Sequence, residues 1–238
     1  MEKRAVITVD GLAGAGKTAL AQMLAERIGF VHLKSGLLYR AVGFLALKER
    51  VDFNDASALV ALLKGHSVQL AIDPKGGSII LIDGRDVGGD LFQPEVSEAG
   101  SLAASQPEVR TALIPAQRQA FPGRGLVAEG RDQGTVIFPD AALKFFVHAE
   151  VGIRVQRRMM QLYGADDALS TEMFNSLKKE MEIEIIARDR RDSERAVAPT
   201  VPAPDAILID NSSRTLTQVV QSMYDLAASR GLVRGSFP

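Results

Sequence analysis

The chain has 238 residues, no cysteine, 28 Lys+Arg against 29 Asp+Glu and a formal net charge of -1. That length suits one α/β domain with small insertions rather than two full domains. The near-neutral charge excludes a global attraction to nucleic acid or an anionic membrane, and the missing Cys excludes disulfides, thiol nucleophiles and Cys-based zinc sites.

Met1-Glu2-Lys3-Arg4 precedes only a short apolar run before Asp10, too little for a signal peptide, and no apolar stretch reaches membrane-spanning length. A cytoplasmic location with no membrane or nucleic-acid partner is therefore expected. Ala5 to Val9 reads as a buried strand, and Ala19 to Ile28 as a helix stopped by Gly29. Between them Gly11-Leu12-Ala13-Gly14-Ala15-Gly16-Lys17-Thr18 fits the phosphate-loop pattern, Gly, four residues, then Gly-Lys-Ser/Thr. Glycines let successive N–H groups approach an anion and the helix N-terminus adds its positive end. Lys17 is expected to reach the terminal phosphates, and Thr18 to ligate magnesium.

Val31-His32-Leu33 predicts a short strand. Ser35-Gly36 opens a helix through Ala46 on which Tyr39 and Arg40 break the apolar pattern, and a further helix spans about 55 to 64. Ser67 to Ile72 alternates, Asp73-Pro74-Lys75-Gly76-Gly77 is turn chemistry and Ser78 to Ile82 is another strand. Residues 66–90 thus read as a small antiparallel insertion. Helices follow at about 93–105 and 107–121, then strands Gly125–Gly130, Leu143–Val147 and Ala206–Asp210, and a last helix at about 215–229. Strands alternating with helices predict a parallel sheet covered on both faces, with ligands beyond the strands' carboxyl ends.

Glu129 closes an apolar strand. It is either a solvated end or a carboxylate that holds a magnesium-bound water beside the phosphate loop. Arg154, Arg157 and Arg158 stand at i, i+3 and i+4, and Arg188, Arg191, Asp192 and Arg195 share a face if the helix from about 171 continues through them. Such runs are either solvated surface or a clamp of bidentate, permanently charged donors for an anionic acceptor. His32, His66 and His148 lack ligand spacing and read as structural.

Asp10 to Thr18, Ser35-Gly-Leu-Leu-Tyr-Arg40, Gly130-Arg-Asp-Gln-Gly-Thr-Val-Ile-Phe-Pro-Asp140 and Arg188-Asp-Arg-Arg-Asp-Ser-Glu-Arg-Ala-Val-Ala-Pro199 together resemble the bacterial cytidylate kinases, of the nucleoside monophosphate kinase group. The resemblance covers essentially the whole chain. It implies a phosphate-loop nucleoside monophosphate kinase fold, with a five-stranded parallel sheet flanked by helices. It also implies a core of 1–65 and 91–238, a monophosphate-binding insertion at 66–90 and a short lid at 188–199.

Carried over residue by residue, ATP would be bound by Gly11, Leu12, Ala13, Gly14, Ala15, Gly16, Lys17, Thr18, Ala19, Arg157 and Arg158. CMP or dCMP would be bound by Ser35, Tyr39, Arg40, Ser101, Arg110, Arg131, Asp132, Arg188 and Asp192, with Arg131 and Asp132 reading the cytosine and Arg40 and Arg110 holding the phosphate. Lys17, Arg131, Arg188, Arg191 and Arg195 would stabilise the transferred charge, Thr18 would hold Mg2+, Glu129 acting through water, and the enzyme would be monomeric. Lys34, where the family usually has Asp, and Gln133, where it has a branched apolar residue, depart from the pattern. The alternatives are a kinase for UMP or AMP and a non-catalytic ATP-dependent regulatory module.

Overall fold

The computed structural model describes residues 5–72, 77–121, 123–164 and 171–233. The turn expected at Asp73 to Gly76 and the segment Met1 to Arg4 lie outside the described residues. The first half runs β1 (Val6–Gly11), α1 (Lys17–Ile28), β2 (Val31–Lys34), α2 (Gly36–Glu49), α3 (Ala56–Gly65), β3 (Val68–Ile72), β4 (Ser78–Ile82), β5 (Arg85–Asp86) and α4 (Pro94–Ala103). The second runs α5 (Pro107–Arg118), β6 (Leu126–Glu129), β7 (Leu143–His148), α6 (Val151–Tyr163), α7 (Thr171–Ser193), β8 (Ile207–Asp210) and α8 (Leu216–Ser229).

Five strands form one sheet in the order β2-β6-β1-β7-β8, every pairing parallel. All six residues of β1 are buried, as its central place between β6 and β7 requires. Its side chains alternate between two cores. Ile7 and Val9 join Val127, Phe145 and Val147 under α1 and α8, where Leu20, Leu24, Val219 and Met223 close the layer. Val6, Leu33, Leu126 and Ala128 face the other way, against Ile137, Phe138 and Phe121. Each fully buried Leu, Val or Phe contributes about 1.5–3 kcal/mol of transfer free energy, so these layers hold the strand ends that carry the site.

The second sheet, β3-β4-β5, is antiparallel. Its third strand was not anticipated from the sequence. It arises because Asp83 and Gly84 both take positive φ, 51° and 77°, the two-residue turn that matches the twist of a hairpin. The Ser78 hydroxyl of β4 donates to the His32 carbonyl of β2, tying this sheet to the main one.

Four local features differ from expectation or add to it. Helix α1 starts at Lys17 rather than Ala19, because Gly16 in the left-handed region (φ 89°) turns the loop directly into the helix. A 3₁₀ turn at Asp90–Phe92 precedes α4, which starts at Pro94. A π-type turn, Gln133–Ile137, follows Asp132. Helix α7 runs on to Ser193, so the segment expected as a lid from 188 is helical in its first part.

Candidate active site

The phosphate loop leaves the carboxyl end of the central strand, and its carbonyls are held from behind. Arg131 Nη1 donates to the Gly11 carbonyl (3.0 Å), Lys17 Nζ to Leu12 (2.6 Å), Arg154 Nη1 to Ala13 (2.9 Å) and Asn211 Nδ2 to Ala15 (2.8 Å). With the carbonyls occupied there, the first-turn N–H groups of α1, which have no intrahelical partner, are free to meet an anion. Gly11 is required by space as well as conformation. At φ 143° an added Cβ lies 1.9 Å from the Val147 carbonyl oxygen of β7.

Asp10, the last residue before the loop, accepts from the N–H groups of Gln133 (2.9 Å) and Gly134 (2.7 Å). It thereby fastens the Arg131-Asp132 turn to the phosphate loop. Burial raises its carboxyl to about 7, against those two N–H bonds. Glu129 ends β6 at the register position of Lys34 and Val9. It accepts the Thr18 hydroxyl at 2.7 Å on Oε1, and its Oε2 lies 3.3 Å from His32 Nε2. Burial raises this carboxyl too, but His32, Lys17 and Thr18 outweigh it and hold it at about 2. A hydroxyl and a permanently ionised carboxylate at a helix N-terminus are hard oxygen donors suited to magnesium. Among the described residues there is no group of three or more His, Cys, Asp or Glu side chains that could hold a metal ion.

Cations crowd the mouth of the loop. Burial lowers the Lys17 ammonium well below its ordinary value, reinforced by Arg131 and Arg188. Burial and the positive charges of Arg131 and Arg40 likewise bring Arg188 down to about 10, and its Nε has no hydrogen-bond partner. Arg40 is lowered by burial and by Arg158, so cations expected on the donor and acceptor sides meet here. Cations that depress one another, Lys17 buried and Arg40, Arg131 and Arg188 half-buried, favour a polyanion.

The remaining predicted residues divide into those that gather and those that do not. Arg110 pairs with Asp132 at 2.5 Å, both buried, and its guanidinium lies 5.1 Å above the Tyr39 ring. Asp192, 5% exposed, accepts Arg131 Nε at 2.9 Å and lies 3.8 Å from Arg195. The solvated-surface alternative therefore fails at Asp192, and holds at Arg190 and Glu194, an exposed i,i+4 pair. Arg40 donates to the Leu91 carbonyl and Ser97 Oγ, Ser35 to the Glu129 carbonyl, and Ser101 Oγ is buried with no partner. Arg157 caps the Asn211 carbonyl (2.7 Å), which sets it beside Gly16. Arg191 is engaged outward, with Glu98 of α4 at 2.7 Å.

Three groups escaped the sequence reading. Asp189 accepts the Ala13 N–H (3.0 Å) and pairs with Arg154, Asn211 braces the loop from β8, and His32 contacts Glu129. Arg154 is buried against the phosphate loop, and Arg157, one turn on, lies beside the same loop at Gly16. Gln133 turns its amide to Gln117 (2.9 Å) inside the fold.

A Gly-rich loop between a central parallel strand and a helix, with arginines bonded to its carbonyls, defines a phosphate-loop α/β protein. The family model for cytidylate kinase matches residues 7–229, and the chain belongs to that family. It is 42% identical over 221 residues to a cytidylate kinase of Pasteurella multocida (strain Pm70), covering 92% of this chain and 93% of that protein. It is 40% identical over 225 residues to one of Enterobacter sp. (strain 638), covering 94% and 96%. A solved structure from Thermus thermophilus aligns over 96% of this chain at TM-score 0.40 and 20% identity, too distant to carry an argument.

Proposed function

We propose that this protein transfers the γ-phosphoryl group of ATP to CMP or dCMP, giving ADP and CDP or dCDP. What supports this reading most directly is the set of cations bonded to the phosphate loop, Arg131 on the Gly11 carbonyl, Lys17 on the Leu12 carbonyl and Arg154 on the Ala13 carbonyl, with the charge of Arg188 felt by Lys17. The first-turn N–H groups and Lys17 hold the donor phosphates, with Arg157 and Arg158 beside them. Arg131 and Asp132 meet the cytosine, and Arg40, Arg110, Ser35, Tyr39 and Ser101 form the acceptor pocket. Arg188, Asp192 and Arg195 come from the end of α7, a short lid over 188–199, and residues 66–90 act as the monophosphate-binding insertion. Arg191 is held by Glu98 and must leave it to act on the transferred group.

Transfer is in line, without a covalent enzyme intermediate, because a phosphate oxygen is already a competent nucleophile. The protein's share is alignment, charge neutralisation and exclusion of water on closure. Thr18, and Glu129 through water, would hold magnesium, which would supply further neutralisation of the donor oxygens. No helix among the described residues is long and apolar enough to cross a membrane, and we take the protein to act as a cytoplasmic monomer. A coupled ADP-release assay over CMP, dCMP, UMP and AMP tests the assignment. Turnover with CMP or dCMP well above the other two is expected, equal or greater turnover with UMP or AMP overturns the acceptor, and none with any acceptor leaves a regulatory ATP-binding module.

A further inference from the structure

His32 stands where packing alone gives it no reason to be. It lies opposite Val127 in the parallel pairing of β2 with β6, and side chains paired this way share a face of the sheet. That face is the apolar one of Ile7, Val9, Val127 and Phe145 beneath α1. His32 is 3% exposed, and neither ring nitrogen has a hydrogen-bond partner of good geometry. Burying an imidazole without a polar counterpart costs free energy that a leucine would not cost. Among the described residues its polar counterpart is Glu129, two residues beyond Val127 on the same face, whose Oε2 lies 3.3 Å from His32 Nε2. The other oxygen of that carboxylate accepts the Thr18 hydroxyl. One carboxylate is thus held from both ends, by β2 on its inner side and by α1 on its outer side.

We propose, resting on the kinase assignment above, that His32 is a positioning residue that fixes the rotation of Glu129 and keeps its Oε1 turned to Thr18 and the magnesium-nucleotide. Lys17 is the cation that would otherwise draw the carboxylate, since the two already interact. A Glu129 turned to Lys17 removes the metal-linked acid and the phosphate-binding ammonium together. His32 touches neither substrate nor metal, and acts through Glu129 alone.

The test uses His32→Leu, His32→Gln and His32→Asn in the full chain. Calorimetric titration with ATP is run in excess Mg2+ and in EDTA, alongside the Mg2+ dependence of CMP turnover and thermal unfolding. We expect His32→Leu to weaken ATP binding about tenfold in Mg2+ but not in EDTA, the loss typical when an outer partner of a metal-linked group is removed. The Mg2+ midpoint should rise while kcat at saturating Mg2+ stays close to wild type. His32→Gln, which reaches as far, should restore the midpoint, and the shorter Asn should not. In a Glu129→Gln background the Leu change should add nothing. Equal weakening with and without Mg2+, or an unchanged midpoint with only thermal stability lost, would make His32 a packing residue and overturn the proposal. Should His32→Leu fail to fold, the Gln and Asn variants decide it by the same midpoints. Failure of the kinase assignment shows separately, as wild-type protein that binds Mg2+-ATP yet does not phosphorylate CMP.

Discussion

Lys17 is buried with its ammonium folded back on the Leu12 carbonyl. Removing it should strip charge stabilisation from the transition state while leaving the acceptor pocket of Arg110 and Asp132 untouched. Lys17→Ala is expected to lower kcat by about 30- to 1,000-fold, or about 2–4 kcal/mol, with CMP affinity by calorimetry unchanged. Near-normal turnover would sink the role given to the loop. Lys17 and Thr18 were legible in the sequence because their motif is local, five glycine and lysine-threonine positions read between a strand and a helix. Glu129 was half legible, as the acid that ends an apolar strand. Asp189, Asn211 and His32 carried no signal, because each acts on a residue remote in sequence, and a lone Asp, Asn or His in a strand or charged run has a commoner use.

At the level of elements, α7 is the piece whose meaning depended on what it packs against. Its sequence is a charge run, and only the fold shows that Asp192 turns inward to Arg131 while Arg190 and Glu194 stay outside. Asp192→Ala leaves Arg131 and Arg195 as crowded, unpaired cations, so kcat/KM for CMP should fall at least about tenfold with ATP binding intact. Adding Arg188→Ala should cost less than the two single losses combined. Unchanged turnover with additive, small stability losses would return the turn to solvated surface. A second device joins α2, α3 and the small sheet. His66 contacts Asp83 at 2.7 Å and Glu49 at 2.6 Å, and the hydrogen bond to Asp83, then that to Glu49, raises its pKa above the ordinary 6.5. A raised histidine pKa contributes stability that is fully present below pH 6.5 and is lost as pH rises through the folded value. The melting temperature of the wild type should therefore exceed that of His66→Gln at about pH 6, with the gap closing by about pH 8.5. A gap independent of pH would mean the contact is only packing.

Over the whole molecule, the alternation of strands and helices sufficed to expect a parallel sheet, whereas β5 depended on backbone angles at Asp83 and Gly84, and the π-type turn after Asp132 on the N–H groups that the Asp10 carboxylate accepts. Because the proposed acceptor residues come from α2, α4, α5, the turn after β6 and α7, CMP should stabilise the entire fold and not one segment. At 100 times its Kd it should add about 2.7 kcal/mol, or about 5 to 10 °C in melting temperature for a chain of this size. A thermal shift with ATP but none with CMP would leave a generic ATP-binding protein. The strand order has a further consequence, one of time. Among the described residues no ladder of the main sheet joins two strands of the first half: β1 pairs with β6 and β7, and β2 with β6. The partner of Val6 is Leu126, so on a ribosome adding about 5–20 residues per second the apolar first strand waits about 6 to 24 s for its neighbour. Through that interval the phosphate loop has been translated but has no wall to stand against, and nucleotide cannot assist folding until β6 has emerged.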